Sequence, residues 1–202
     1  MTIRNILAAL LLSLCILCSL VETQLQMPFF PGMPESPLKG WHWWGGYGRH
    51  KYEYGISDNV YYHGNKCLYI HLLEPGPPTV PFPIIGGTLS QQFKADNYFH
   101  KHMKFSAVFK ADLEDGSAVL TMSVQGHCHD TLAYDEMYGR NITGVQDWKR
   151  ESVVLDVPDE SRYIEIGITM HGEGQVWVSN LLFEEMTDGS TGMRIYEDEP
   201  RN

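Results

Sequence analysis

The sequence predicts an all-β fold, a two-sheet antiparallel β-sandwich of the jelly-roll kind. Three observations carry this. Apolar residues alternate with period two in run after run from residue 52 to residue 185. Gly, Asp, Asn and Pro punctuate the runs, and no amphipathic stretch of three helical turns interrupts them.

The chain of 202 residues divides into four parts. In 1–23, Arg4 precedes an apolar run from Ile6 to Val21. At roughly 16 residues this run is short for a bilayer span of about 20, and it fits the apolar region of a signal peptide. The expectation is a secreted, extracellular protein; the rival reading is a single N-terminal anchor helix. Residues 24–39, "QLQMPFFPGMPESPLK", form a proline-rich lead. Residues 40–185 are the sandwich, and 186–202 are an acidic flexible tail.

The strands follow in order. "KCLYIHLLE" sets Leu68, Ile70 and Leu72 against Cys67, Tyr69 and His71, after the turn-like "HGNK". Residues 74–88, "EPGPPTVPFPIIGGT", read as a long surface loop. "HKHMKFSAVFKADL" places Met103, Phe105, Ala107 and Phe109 on one face, and "EDGS" is expected to turn the chain. "AVLTMSVQG" alternates Leu120, Met122 and Val124 with Val119, Thr121 and Ser123. "RESVVLDVP" aligns Val153, Leu155 and Val157. "RYIEIGITMHG" aligns Ile164, Ile166, Ile168 and Met170, "GEG" at 172–174 reads as a turn, and "GQVWVSNLLFEE" closes the body.

The net charge is −10, and removing 1–23 takes away only Arg4 and Glu22. No basic stripe breaks this balance, so nucleic acid is not an expected partner, nor is an anionic membrane once the leader is removed. The charge leaves the oligomeric state open. Cys67 and Cys128 lie beyond the leader. In an oxidising compartment they are expected to form one disulfide, closing a loop of about 60 residues for about 4 kcal/mol; the other reading is two buried thiols. Asn141-Ile142-Thr143 is a glycosylation sequon, which marks Asn141 as a surface position.

Three stretches carry a resemblance. "YEYGISDNVYYHGNKCLYIHL" resembles the opening strands of jelly-roll modules with a "YE-G-D…H-G-K-S-YI" pattern. "GTLSQQFKADNYFHKHMKFSAVFKA" is similar to their "G-L-Q…A-YRGKR…SA-K" strand pair. "TGVQDWKRESVVLDVPDESRYIEIGITMHGEGQVWVSNLLFEE" resembles their "D-W…V-L-D-V-P…VWVDDV-FE" ending. The chain thus resembles the galactose-binding-like jelly rolls, akin to carbohydrate-binding modules, over Tyr52 to Glu184. Some of these are appended to helix-turn-helix regulators and others to secreted enzymes. The resemblance implies two antiparallel sheets, one concave, and binding of a glycan or other small ligand. Ser179-Asn180 stands where the family has an acidic pair, so a calcium carboxylate is missing there.

The functional residues are sought first in "GWHWWGGYGRHKYEYG", 40–55. Indole and phenol rings offer an apolar body with a polar tip, which suits a sugar's C–H face and its hydroxyls. The expected contacts are Trp41, Trp43, Trp44, Tyr47, Tyr52 and Tyr54, with His71, Gln91 and Asp135 as polar partners. The same side chains also fit sheet core, and "KYEYG" belongs to the resembling strand. His100/His102 and His127/His129 have the i, i+2 spacing of ligands on one strand face, but no third or fourth ligand can be assigned, so no metal or cofactor is expected. No G-x-S-x-G, H-E-x-x-H or P-loop motif occurs, and catalytic residues are not assignable. The leading expectation is a ligand-binding module with an aromatic-lined concave face. The alternative is a cofactor-free pocket enzyme, a cyclase, isomerase or hydrolase, using Tyr, His, Asp and Glu in the same cavity. A third is a surface that docks another chain.

Overall fold

The structure, a computed structural model, describes residues 40–45, 51–74, 86–186 and 193–194. The strands are β1 (His42–Trp44), β2 (Lys51–Tyr62), β3 (Asn65–Glu74), β4 (Gly87–Lys94), β5 (His102–Gln125), β6 (Thr131–Asp135), β7 (Ile142–Asp156), β8 (Tyr163–Glu185) and β9 (Met193–Arg194). A 3-10 turn, His127–His129, lies between β5 and β6. No helix among the described residues is long and apolar enough to cross a membrane.

The architecture is an all-β antiparallel jelly roll built on two long strands. β5 and β8 pair along their whole length, from Met103 opposite Glu185 to Gln125 opposite Tyr163. The first half of β8 pairs with β4, which carries β1. Its second half pairs with β3, which carries β2. On the outer edge of β5, β7 runs beside the first half and β6 beside the second. Two layers result. Layer A has the order β1–β4–β8–β5–β6, and layer B the order β2–β3–β8–β5–β7.

The two halves of β5 and β8 belong to different layers because the pair bends over at one place. The register slips between Leu113 and Gly116, opposite Gly172 and Gly174. Gly172 has φ +76° and Gly174 φ +119°, and a Cβ on either would lie 2.1 Å from the Asp115 carbonyl oxygen or 2.3 Å from that of Asp112. Only glycine allows this backbone and this approach. The turns expected at "EDGS" and "GEG" are therefore bends inside continuous strands, with pairing preserved across them.

Between the layers lie Met103, Phe105, Ala107 and Phe109 of β5, with Leu120, Met122 and Val124 beyond the bend. β3 adds Leu68 and Ile70, and β8 adds Ile164, Ile166, Ile168, Val176 and Val178. Alternation predicted each of these faces. At Asn180 (φ 48°) the parity of β8 shifts, so that Leu181 and Phe183 turn inward after Val176 and Val178. Phe183 then meets Phe93 of β4 edge-on at 5.1 Å, across the layers. Such pairs contribute about 0.5–1.5 kcal/mol beyond the area they bury.

The β2–β3 connection is a tight hairpin in which His63 and Gly64 both have positive φ, 47° and 85°, as a two-residue turn of the primed type demands. Within the stretch read as a tail, Met193 and Arg194 pair with Phe183 and Leu182. The leader 1–23, the lead 24–39 and most of the proline-rich loop, 75–85, lie outside the described residues, and so does Tyr47.

The expected Cys67–Cys128 disulfide does not form. Cys67 is a buried free thiol. It points to the outer side of β3 in layer B, opposite Ser179, whereas Cys128 sits past the end of β5 in layer A. Burial pushes the Cys67 thiol up, partly countered by the Ser179 hydroxyl and the Tyr62 backbone.

Candidate functional site

The residues expected to form one aromatic surface are placed in four different surroundings. Trp41 and Tyr52 are buried in the core. Trp43 turns inward from β1, lies over Gly87 and stacks on Tyr54 of β2, centroids 4.3 Å apart. Tyr52 sits beside them, 6.4 Å from Trp43, and donates a long hydrogen bond of 3.4 Å to the Gly172 carbonyl at the bend. These four rings close one end of the core between the layers. Gln91 lies on the interior side of β4, in line with Leu89 and Phe93, close to Gly40. His71 lies on the outer face of layer B, in register with Glu53 and Gln175. Asp135 accepts the Met137 N–H at 2.8 Å and both its oxygens face Arg140, at 3.1 and 2.9 Å, so it ties down the turn after β6.

Trp44 is the exception. As the neighbour of Trp43 on a strand it points the opposite way, onto the outer face of layer A. There its indole N–H donates to the Ser90 hydroxyl at 3.1 Å. The registers define the rest of that face. Trp44 heads a row with Thr88, Thr169 and Val119. His42 heads the next, with Ser90, Gly167 and Thr121. Gln92, Glu165, Ser123 and Tyr134 form the third.

This face is sunk along its middle. Ser90, Thr169 and Val119 are 4%, 8% and 6% exposed although they point away from the inter-layer core. At the edge strands, His42 is exposed and Tyr134 is 53% exposed. A trough with a polar floor and raised edges has this pattern. At Gly167 the floor has no room for a side chain, since a Cβ would come 2.6 Å from the Thr121 hydroxyl.

The polar groups of the trough hold one another. Thr88 and Thr169 hydroxyls share a hydrogen bond of 2.9 Å. The Gln125 amide donates to Ser123 and to Glu165, at 3.2 Å each, and its oxygen accepts from Gln92 at 3.1 Å. At the far edge the Tyr134 hydroxyl donates to Glu136 at 2.8 Å. Desolvation, reinforced by Glu136 and the charges of Glu165 and Asp135, pushes the Tyr134 phenol up to about 12. Tyr52, Tyr54 and Tyr69 are likewise raised, chiefly by burial, Tyr69 to about 12 with help from Glu53. Each phenol is thus held in its protonated form, and those of Tyr52, Tyr69 and Tyr134 donate a hydrogen bond. That suits hydrogen bonding to neutral hydroxyls and opposes a role as a base or nucleophile.

The histidine pairs are spoken for. His100 meets Asp159 at 2.7 Å and His102 meets Asp156 at 2.5 Å. His127 accepts from Arg162 at 2.8 Å, and His129 stacks on Tyr163. No group of three or more His, Cys, Asp or Glu among the described residues could hold a metal ion. Asn141 is exposed immediately before β7, which leaves the sequon accessible.

Glu136 and Tyr134 are two residues apart on one face, which is the one local signal for this edge of the trough. Glu165, Gln125 and Gln92 carried no such signal, because strands distant in sequence bring them together.

No protein-family model matches the chain. It is similar to an uncharacterized HTH-type transcriptional regulator, YbfP, of Bacillus subtilis (strain 168), 33% identical over 175 residues. That match covers 83% of this chain, which spans 57% of the length of the relative. Among solved structures it is similar to the enzymatically active domain of tailspike protein 4 of Bacteriophage CBA120 (TM-score 0.53, 12% identity, 73% of this chain and 20% of that one). It is also similar to a CBM4 (TM-score 0.48, 18% identity, 79% and 90%). A third is the CBM22-1 xylan-binding domain of Paenibacillus barcinonensis Xyn10C (TM-score 0.48, 14% identity, 77% and 91%). At 12% identity the likeness to the tailspike domain is one of fold alone.

Proposed function

We propose that the chain is a carbohydrate-binding module and that its glycan lies along the outer face of layer A, across β1, β4, β8, β5 and β6. The observation that carries this is the sunken polar floor between Trp44 and Tyr134. Five strands at about 4.8 Å spacing make a trough roughly 19 Å wide. An indole at one edge and a phenol at the other offer flat apolar surfaces to sugar rings. Between them, hydroxyl, amide and carboxylate groups already fixed by mutual hydrogen bonds face a chain of sugar hydroxyls, so little ordering is needed on binding.

The alternative of a cofactor-free enzyme finds no support in the trough, where the one perturbed tyrosine, Tyr134, is shifted away from acting as a base. The similarity to a regulator over 57% of its length fits a ligand-recognising part that can be joined to other parts. For this chain the segment 1–23 supports action outside the cell, which N-terminal sequencing of protein recovered from the medium would test.

The binding test is a glycan array followed by titration calorimetry of the best ligand. Trp44→Ala and Tyr134→Ala should each weaken binding about tenfold or more, the effect of losing one well-used aromatic contact. Unchanged affinity in both variants would refute this face as the site.

A further inference from the structure

The outer face of layer B carries a second aromatic platform that the trough does not use. Tyr69, Trp177 and Lys110 stand in register on β3, β8 and β5. Trp177 and Tyr69 are half-buried on a face turned away from the core. Gly55 completes the row, and a Cβ there would meet the Tyr69 ring at 3.1 Å, so the ring lies flat over the backbone of β2.

A wall stands beside this platform. Tyr62, at the tip of the β2–β3 hairpin, meets Trp148 of β7 with centroids 5.0 Å apart. β2 and β7 are opposite edges of layer B, about 19 Å apart across five strands. The contact therefore requires the hairpin tip to reach over the outer face, and the slip in the β2–β3 register between Ile56 and Tyr61 supplies the extra residues. Cys67, Ser57, Ser106 and Ser179 are all buried on this side. Beside the wall, Trp177, Gln175, Lys110 and His71 are partly exposed and Asp112 is exposed.

The polar groups around Trp177 differ from those of the trough. Lys110 and Tyr69 flank it on the neighbouring strands, and Gln175, in register with Asp112 and His71, lies two residues along the same face. Tyr69 donates to Glu53 at 2.9 Å. Among the described residues, Lys110, Asp112, Gln175 and His71 have no side-chain hydrogen-bond or ion-pair partner. An ammonium, a carboxylate, an amide and an imidazole, all unengaged, surround a half-buried indole. Donors and acceptors of both kinds around one flat ring match a neutral pyranose, with hydroxyls at its rim and C–H groups on its face. An anionic sugar would meet the Asp112 carboxylate.

We infer that the outer face of layer B is a second glycan site, centred on Trp177 and walled by Tyr62 and Trp148. The protein is thus bivalent, with one site on each layer, and can hold two neutral polysaccharide chains or two stretches of one. The ligand class rests on the carbohydrate-binding reading above; the site does not.

Affinity electrophoresis in gels containing soluble xylan, mixed-linkage β-glucan or galactan separates the two. Trp177→Ala and, as a variant that spares the packing, Lys110→Met should each reduce the retardation several-fold in at least one gel. A Trp44→Ala/Tyr134→Ala double variant should leave a residual retardation that Trp177→Ala then abolishes. If Trp177→Ala and Lys110→Met migrate as the wild type in every gel while the double variant is released, the second site is overturned and the trough stands. If only the Trp177 and Lys110 variants are released, the trough falls and the second site stands. No retardation of the wild type in any gel overturns both.

Discussion

Trp43 of β1 and Tyr54 of β2 stack across the two layers with ring centroids 4.3 Å apart and planes within 11°. Their partner Trp44, one residue on, faces the opposite way and bonds Ser90. A single aromatic dipeptide thus serves the core with one ring and the surface with the other.

That division predicts opposite phenotypes for adjacent residues. Trp43→Ala removes a large side chain packed on Tyr52, Tyr54 and Gly87, and should cost about 3 kcal/mol. Urea unfolding would show a lower midpoint at an unchanged slope. Trp44→Ala loses one hydrogen bond and some exposed area, so its stability should fall by about 1 kcal/mol or less. A Trp44→Ala variant as unstable as Trp43→Ala would contradict the assignment of faces.

Tyr54 makes a second, less obvious prediction. Its ring is stacked, yet its hydroxyl is buried without a hydrogen-bond partner among the described residues. A polar group taken from water without compensation costs about 1–3 kcal/mol. Tyr54→Phe keeps the stack and removes the penalty, so it should leave stability unchanged or raise it by up to about 1 kcal/mol. Thermal unfolding decides; a clear loss would mean that the hydroxyl has a partner in solution.

These cases show what the sequence made legible. Period-two alternation identified the inward faces of β3, β5, β7 and β8 as far as Val178, because a strand with one buried face must alternate; the parity shift at Asn180 escaped it. It could not say that β5 and β8 continue through "EDGS" and "GEG". A bend and a turn use the same glycines, and only pairing between residues such as Gly116 and Gly172, far apart in sequence, distinguishes them. Nor could it choose which face of "WHWW" is buried, since both faces are aromatic. The trough needed more still. Gln92, Gln125 and Glu165 come from three strands, and no local pattern places them together.

Cys67 supplies a third prediction. Its thiol is buried, free and shifted up by desolvation. A thiolate-directed reagent should therefore fail to label Cys67 in the folded protein and label it fully in denaturant. Peptide mapping after alkylation without reducing agent would recover Cys67 as the alkylated thiol. Recovery of a Cys67–Cys128 peptide pair would overturn the structure at this point.

The last prediction concerns the edge of the trough. Burial first, and then the Glu136 carboxylate that accepts its proton, raise Tyr134 to about 12. A phenol whose folded value lies above its unfolded value of about 10 contributes stability that is fully present below pH 10 and declines as pH rises toward 12. Half of the Tyr134 ring is exposed, so solvent screening keeps this contribution small; the direct observable is the tyrosinate absorbance. Glu136→Gln removes the negative charge and the charge-assisted bond, and should bring the Tyr134 titration down toward 10 while Tyr69, which is bonded to Glu53, stays near 12. The same variant should weaken glycan binding, because the phenol loses the carboxylate that orients it in the trough. If Glu136→Gln shifts the titration but leaves affinity untouched, Tyr134 contributes to binding through its ring face alone. If it shifts neither, the hydrogen bond at this edge does not persist in solution.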